Sequence, residues 1–215
     1  IVFVLKERNW GHTVDDQREL QAGGRVEIVE ERDIFNDWWT LMAQWADLLL
    51  PKQNTYESWH QIQSSFMPSA QMTGEERDKW INERNKQALG KCACIQLKKA
   101  PGGGKFNNGD FSTVVEEDKD LLLSQLSIYS PHFIVSCGSG DNWSAFTKNL
   151  FKNPKIKQAK NGINYFIIQL DDNNHKTAVI NFGHPSMRVN TTLQGALAFG
   201  LREAITEIFP QLMSV

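Results

Sequence analysis

Five residues that could do chemistry stand together in the stretch NFGHPSMRVN, residues 181 to 190: His184, Pro185, Ser186, Met187 and Arg188. They follow the apolar run TAVINF. A strand-to-helix connection needs a turn residue and a helix cap. It needs neither an imidazole nor a guanidinium. Pro185 fixes the backbone beside His184, which holds the ring in one orientation. Ser186 and Arg188 are donors of the kind that bind phosphate, and Met187 between them is an apolar tip. A helix N-terminus follows at once, adding backbone N–H groups and a positive dipole end. Such a loop suits an anion and a wedge. A lone His after a strand fits a structural role equally well, so its weight depends on what gathers around it.

A carboxylate is the natural partner. Glu7 lies just past the first apolar run, between Lys6 and Arg8. One reading is a surface ion pair, worth about 0–1 kcal/mol. The other is a carboxylate at the mouth of a sheet, opposite His184. Together the two could split an N-glycosidic bond. The carboxylate supports the cationic sugar or the attacking water, and the histidine stabilises negative charge on the departing base. Gln96 ends the run CACIQ and offers a planar acceptor and donor pair suited to the edge of a base, or to local backbone bonds. Trp10 could stack on a base or simply pack. PGGGK resembles a phosphate loop but lacks its spacing, because Phe106 follows Lys105.

These residues need a scaffold. IVFVLK, KCACIQLKK, PHFIVSCG, INYFIIQL and TAVINF read as strands, the last two joined by the turn DDNNH. DIFNDWWTLMAQWADLLL reads as a helix capped by Asp33 and stopped by Pro51. TYESWHQIQSSFM reads as helical. TGEERDKWINERNKQALG opens with a capping box, Thr73 to Glu76, and ends at Gly90. APGGGKFNNGD reads as a loop. TVVEEDKDLLLSQLSIY reads as one helix with a second capping box, Thr113 to Glu116. DNWSAFTKNLF reads as a helix capped by Asp141. TTLQGALAFGLREAITEIF is the last helix, capped by Asn190 or Thr191. Near-continuous apolar strands alternating with helices imply a parallel sheet covered on both faces. Ligands of such folds bind beyond the carboxyl ends of the strands. Four segments occupy that position: KERNWGH, LKKAPGGGK, GSGDNW and GHPSMR. All four carry more polar and glycine residues than connection requires.

Bulk properties set the limits. The 215 residues, 40% hydrophobic and 22% charged, fit one α/β domain over 1–215 with a real core. No apolar run approaches the ~20 residues of a spanning helix, and IVFVLKERNWG lacks the layout of a signal peptide. Without a starting Met, the chain is expected to have lost leading residues. Three cysteines, Cys92, Cys94 and Cys137, make no disulfide framework and too few ligands for a zinc or iron–sulfur site. They imply buried thiols in a cytoplasmic protein without metal or membrane. The net charge of -2 exerts no global pull on nucleic acid. Its distribution is uneven. From Asn142 to Leu170 there is no carboxylate but five lysines: Lys148, Lys152, Lys155, Lys157 and Lys160. That run is either a solvated face or a patch that meets phosphates.

HPS directly after the last strand resembles the His-Pro-Ser loop of the uracil-DNA glycosylase superfamily. VLKERNW lies where those proteins carry their first active-site motif. IQLKK is similar to the second-strand motif, where an Asn usually reads the base, and SCGSGDNW to the Gly-Ser turn that pinches a DNA phosphate. Order and approximate spacing agree from about Val2 to Ala204. The resemblance implies a three-layer α/β/α sandwich around a mostly parallel four-stranded sheet. It implies a monomer, free of cofactors, whose partner is DNA. It implies monofunctional excision of a flipped base, with Glu7 and His184 catalytic and Trp10 and Gln96 on the base. Lys99, Gly138, Ser139, Ser186, Met187 and Arg188 would hold DNA. The chain departs from the family in two places. The first motif lacks its usual glycine and proline, which leaves Asp15 and Asp16 as alternative carboxylates. Gln96 stands for the usual Asn and has a longer reach, which suggests a differently sized base pocket and leaves open uracil or a modified base, in repair or in defence against modified foreign DNA. A DNA-binding module without chemistry and a hydrolase of free nucleosides or nucleotides are the competing readings.

Overall fold

The structure, a computed structural model, describes residues 1–5, 37–50, 56–90, 92–96, 108–138, 143–170, 175–183 and 191–210. In chain order the elements are β1 (Val2–Leu5), α1 (Asp37–Leu49), α2 (Trp59–Ser64), α3 (Gly74–Leu89), β2 (Ala93–Gln96), α4 (Asn108–Glu117) and α5 (Lys119–Tyr129). They continue with β3 (Phe133–Cys137), a π-helix (Ala145–Leu150), β4 (Lys157–Gln158), β5 (Asn164–Gln169), β6 (Lys176–Phe182) and α6 (Thr191–Ile208). The chain divides into two compact units. The first holds Ile1–Glu27, Ala93–Lys157 and Asn164–His184; the second holds Ile28–Cys92, Gln158–Ile163 and Pro185–Val215.

The first unit is α/β. Its sheet runs β2-β1-β3-β6-β5-β4. β2, β1, β3 and β6 are mutually parallel, and β5 pairs with β6 antiparallel. The sheet is therefore six-stranded and mixed, which corrects the four-stranded expectation. The reason is covalent. Only residues 170–175 separate β5 from β6. So short a link permits a hairpin but not the crossover that a parallel pair demands. All five residues of β3 are buried, as expected of a strand covered on both faces.

Register aligns the core in rows. Ala93, Val2, Ile134 and Val179 are neighbours across the four parallel strands, and Ile95, Val4, Ser136 and Asn181 form the next row on the same face. Val2, Val4, Ile95, Ile134 and Val179 pack in one cluster with Val115 of α4, Leu122 and Leu126 of α5, and Phe146 and Leu150 of the π-helix.

Two local expectations change here. The run 113–129 is two helices, broken at Asp118, and α4 starts at Asn108 inside the expected loop. Thr113 is thus a mid-helix residue, not a cap. Asp118 sits at φ -86° and ψ 6°, and aspartate favours helix starts over interiors. The segment after β3 is a π-helix where an α-helix was expected. The Phe151 N–H donates to the Phe146 carbonyl at 3.0 Å, five residues back. The wider turn stacks the two rings at 6.0 Å and 13°. Thr147 Oγ1 also donates to the Trp143 carbonyl at 2.9 Å.

In the second unit α1 packs against α2, α3 and α6. Residues Leu41 to Leu49 of α1 are all buried, so the helix is apolar nearly all round. Its one buried carboxylate, Asp47, meets Arg84 Nη2 of α3 at 2.8 Å and accepts from the Tyr56 hydroxyl at 2.6 Å. Burial first, then this carboxylate, raises the Tyr56 pKa. Thr73 and Glu76 form the expected capping box. The helical stretch expected around TYESWHQIQSSFM shrinks to Trp59–Ser64, started by an unforeseen box between Ser58 and Gln61. No helix among the described residues is long and apolar enough to cross a membrane.

Candidate functional site

Four parallel strands that end at one level create a shared edge. Leu5 is the register partner of Gln96, and Cys137 of Phe182; the pairing of Val4 with Ser136 links the two sets. The Gly138 N–H donates to the Phe182 carbonyl at 3.1 Å, which ties the exit of β3 to that of β6. The strand order adds direction. From β1 the chain passes to β2 on one side; from β3 it passes toward β6 on the other. The crevice of such a sheet opens where the connections diverge, between the carboxyl ends of β1 and β3.

The four segments singled out in the sequence leave from this edge. KERNWGH follows Leu5, LKKAPGGGK follows Ile95–Gln96, GSGDNW follows Cys137 and GHPSMR follows Phe182. Of the residues expected to act, Gly138 is placed at the exit of β3, and the backbone of Gln96 closes β2. The Gln96 side chain lies outside the described residues. So do Glu7, Trp10, Asp15, Asp16, Lys99, Ser139, His184, Ser186, Met187 and Arg188.

Two polar residues at this edge escaped the sequence reading. Ser136 and Asn181 are register partners in the last full row before the exits. Ser136 is 1% exposed, and its Oγ has no hydrogen-bond partner among the described residues. Asn181 beside it is half-buried. The other members of that row, Ile95 and Val4, and of the next row beneath, Ala93, Val2, Ile134 and Val179, are apolar or alanine. The signal was present, a hydroxyl and a carboxamide interrupting apolar strands one residue from their ends, but strand periodicity alone does not reveal that they are neighbours.

Cys137, adjacent to Ser136, is fully buried, and burial pushes its thiol pKa well up. It remains protonated and poorly nucleophilic at neutral pH. The described histidine pair stands at the opposite edge. His132 precedes β3 and His175 precedes β6, with ring centroids 4.7 Å apart. His175 Nε2 lies 3.2 Å from the Pro131 carbonyl. Burial, then the charge of His175, lowers the His132 pKa.

No protein-family model, curated protein or solved structure matches the chain. The functional argument therefore rests on the shared edge and on the residues the sequence sends to it.

Proposed function

We propose that this chain is a monofunctional DNA glycosylase of uracil-DNA glycosylase-like fold, acting on a damaged or modified base. The shared carboxyl edge of β2, β1, β3 and β6 carries the reading, because the four motif-bearing segments depart from it. Glu7 follows Leu5 by two residues, and His184 follows Phe182 by two. Two residues of chain span at most about 7 Å. β1 and β6 are separated by β3 alone, roughly 10 Å at ordinary strand spacing. A carboxylate and an imidazole rooted so close can serve one sugar.

In this scheme the target nucleotide leaves the stack at a cost of a few kcal/mol and enters the crevice. Met187 or Arg188 fills the gap. Ser139, Ser186 and Lys99 hold phosphates. Trp10 and Gln96 contact the base. Glu7 supports the cationic sugar or aligns water, and His184 stabilises the leaving base. The scheme assigns no lysine as a Schiff-base nucleophile, so its product is an abasic site with an intact strand.

Duplex oligonucleotides bearing uracil and a panel of modified cytosines, treated with the protein and then alkali, test the reading. The expected result is alkali-dependent breakage at one class of base, with His184→Ala and Glu7→Gln each strongly impaired. Intact oligonucleotides throughout, beside a glycosylase control that cuts, overturn it. The altered first motif, with Lys6, Arg8 and Asn9 where glycine and proline are usual, favours one second reading: a DNA-binding module without chemistry. That reading gives DNA affinity in the same samples and no abasic product.

A further inference from the structure

We infer that the exposed lysines Lys148, Lys152, Lys155 and Lys157 make phosphate contacts to duplex DNA, in addition to the residues of the four strand-end segments. The inference builds on the reading of DNA as the partner, but it concerns the undamaged duplex and requires no chemistry. All four lysines are exposed and belong to the first unit. Lys148 is on the π-helix, Lys152 and Lys155 follow it, and Lys157 opens β4. No ion pair engages any of them among the described residues.

Charge in this region is one-sided. Residues 142–170 contain no Asp or Glu. Two carboxylates reach the segment from other elements among the described contacts: Glu116 Oε2 accepts from Asn149 Nδ2 at 3.4 Å, and Glu207 Oε2 accepts from the Lys160 backbone N–H at 3.0 Å. Both engage amides rather than an ammonium group. A solvated face that served only solubility would carry both signs interspersed. Four like charges within ten residues repel one another, and their cost is relieved when phosphates replace water and counterions.

The backbone beneath them is held in an uncommon shape. The π-helix is a rare geometry, frequent at functional sites. Two successive non-glycine residues, Lys152 at φ 45° and Asn153 at φ 61°, are left-handed. The Asn153 N–H donates to the Thr147 carbonyl at 2.6 Å and fixes the turn. A lysine pays for that conformation, and such strain clusters where the placement of a side chain matters.

The test measures affinity of the full chain for an undamaged duplex between about 50 and 200 mM salt. A variant carrying Lys148→Gln, Lys152→Gln, Lys155→Gln and Lys157→Gln is compared with the unaltered chain. Each lost phosphate contact lowers the slope of log affinity against log salt by about 0.9, so the expected loss is roughly 3–4. Across that salt range the unaltered chain loses roughly 100-fold more affinity than the variant. Lysine acetylation of the unaltered chain gives a second readout that does not depend on variant folding: duplex should protect these four lysines and leave exposed Lys79 of α3 reactive. An unchanged slope, equal labelling with and without duplex, or affinity for RNA or anionic vesicles but not for DNA overturns the inference. Binding with the expected slope but no abasic product removes the enzyme reading and leaves this surface standing. Excision with an unchanged slope does the reverse.

Discussion

Ser136 on β3 and Asn181 on β6 are register partners in the last full row of the parallel sheet, on the face covered by α4, α5 and the π-helix. The serine hydroxyl is buried with no partner among the described residues, in a row otherwise occupied by Ile95 and Val4. A buried, unsatisfied hydroxyl costs about 1–3 kcal/mol. Ser136→Ala removes that group with almost no change of shape. It is expected to raise stability by about 1 kcal/mol, read as a higher urea midpoint. A lower midpoint would mean that the hydroxyl makes a bond the fold relies on. A gain in stability joined to a loss of base excision would mark Ser136 as a residue kept for the site at the expense of the fold.

Asp47 and Arg84 are the opposite case, a buried charge that is matched. The Asp47 side chain is 1% exposed, and Arg84 Nη2 sits 2.8 Å from it. Arg84 also donates to the Ser65 carbonyl at 3.2 Å and lies 4.2 Å over the Phe66 ring. Removing one partner leaves a desolvated charge, so Arg84→Ala is expected to cost about 3–5 kcal/mol. The pair Lys86–Glu83, at 3.8 Å with Glu83 exposed and Lys86 half-buried, provides the internal comparison: Lys86→Ala should cost less than about 1 kcal/mol. Equal midpoints for the two variants in urea would show that the Asp47 carboxylate is compensated elsewhere.

Gly195 of α6 makes close packing possible. A Cβ at this position would stand 2.7 Å from both Cβ and Cγ of Trp59 on α2. Helix propensity favours alanine over glycine by about 1 kcal/mol. Overpacking a tight contact costs about 1–3 kcal/mol, and the near atoms belong to the stem of the indole, which cannot swing aside. Gly195→Ala is therefore expected to be net destabilising, by up to about 2 kcal/mol. Thermal melting checks the sign, and a rise in midpoint would mean that α2 yields.

The pair His132 and His175 sets a pH dependence. Burial first, then the neighbouring imidazole charge, places the folded pKa of His132 below its ordinary 6.5. Above that value the group is neutral in both states and costs nothing. As pH falls below about 6.5 the unfolded chain takes up the proton first, so stability falls until the folded pKa is passed. His132 is an exposed residue, and solvent screening keeps the effect small. His132→Asn is expected to flatten the fall in urea midpoint as pH drops below about 6.5. Parallel curves for variant and unaltered chain would remove His132 as the source.

Much of this protein was legible from sequence because much of its structure is local. The five apolar runs are strands because β-branched and aromatic residues crowd them. Thr73 caps α3 because a capping box needs only residues three apart. The sequence placed a turn between the runs that became β5 and β6, though their antiparallel pairing was not drawn from it. Four motifs following four strands could be read as one site, because parallel strands of an α/β sheet end on the same side.

The tertiary structure decided the rest, through contacts between residues far apart in the chain. The break at Asp118 and the π-helix after β3 are choices between similar local energies, settled by what Val115, Leu122, Phe146 and Leu150 bury together. Trp59 and Gly195 have no relationship in sequence; α2 and α6 give them one. Ser136 and Asn181 read as isolated polar residues until register placed them side by side. Register comes from packing whole rows of side chains against the covering helices, and a slip of one residue would turn each strand over. The sequence by itself determined five of the six strands and which residues follow them. Only the folded sheet determined their order and which polar groups meet at its edge.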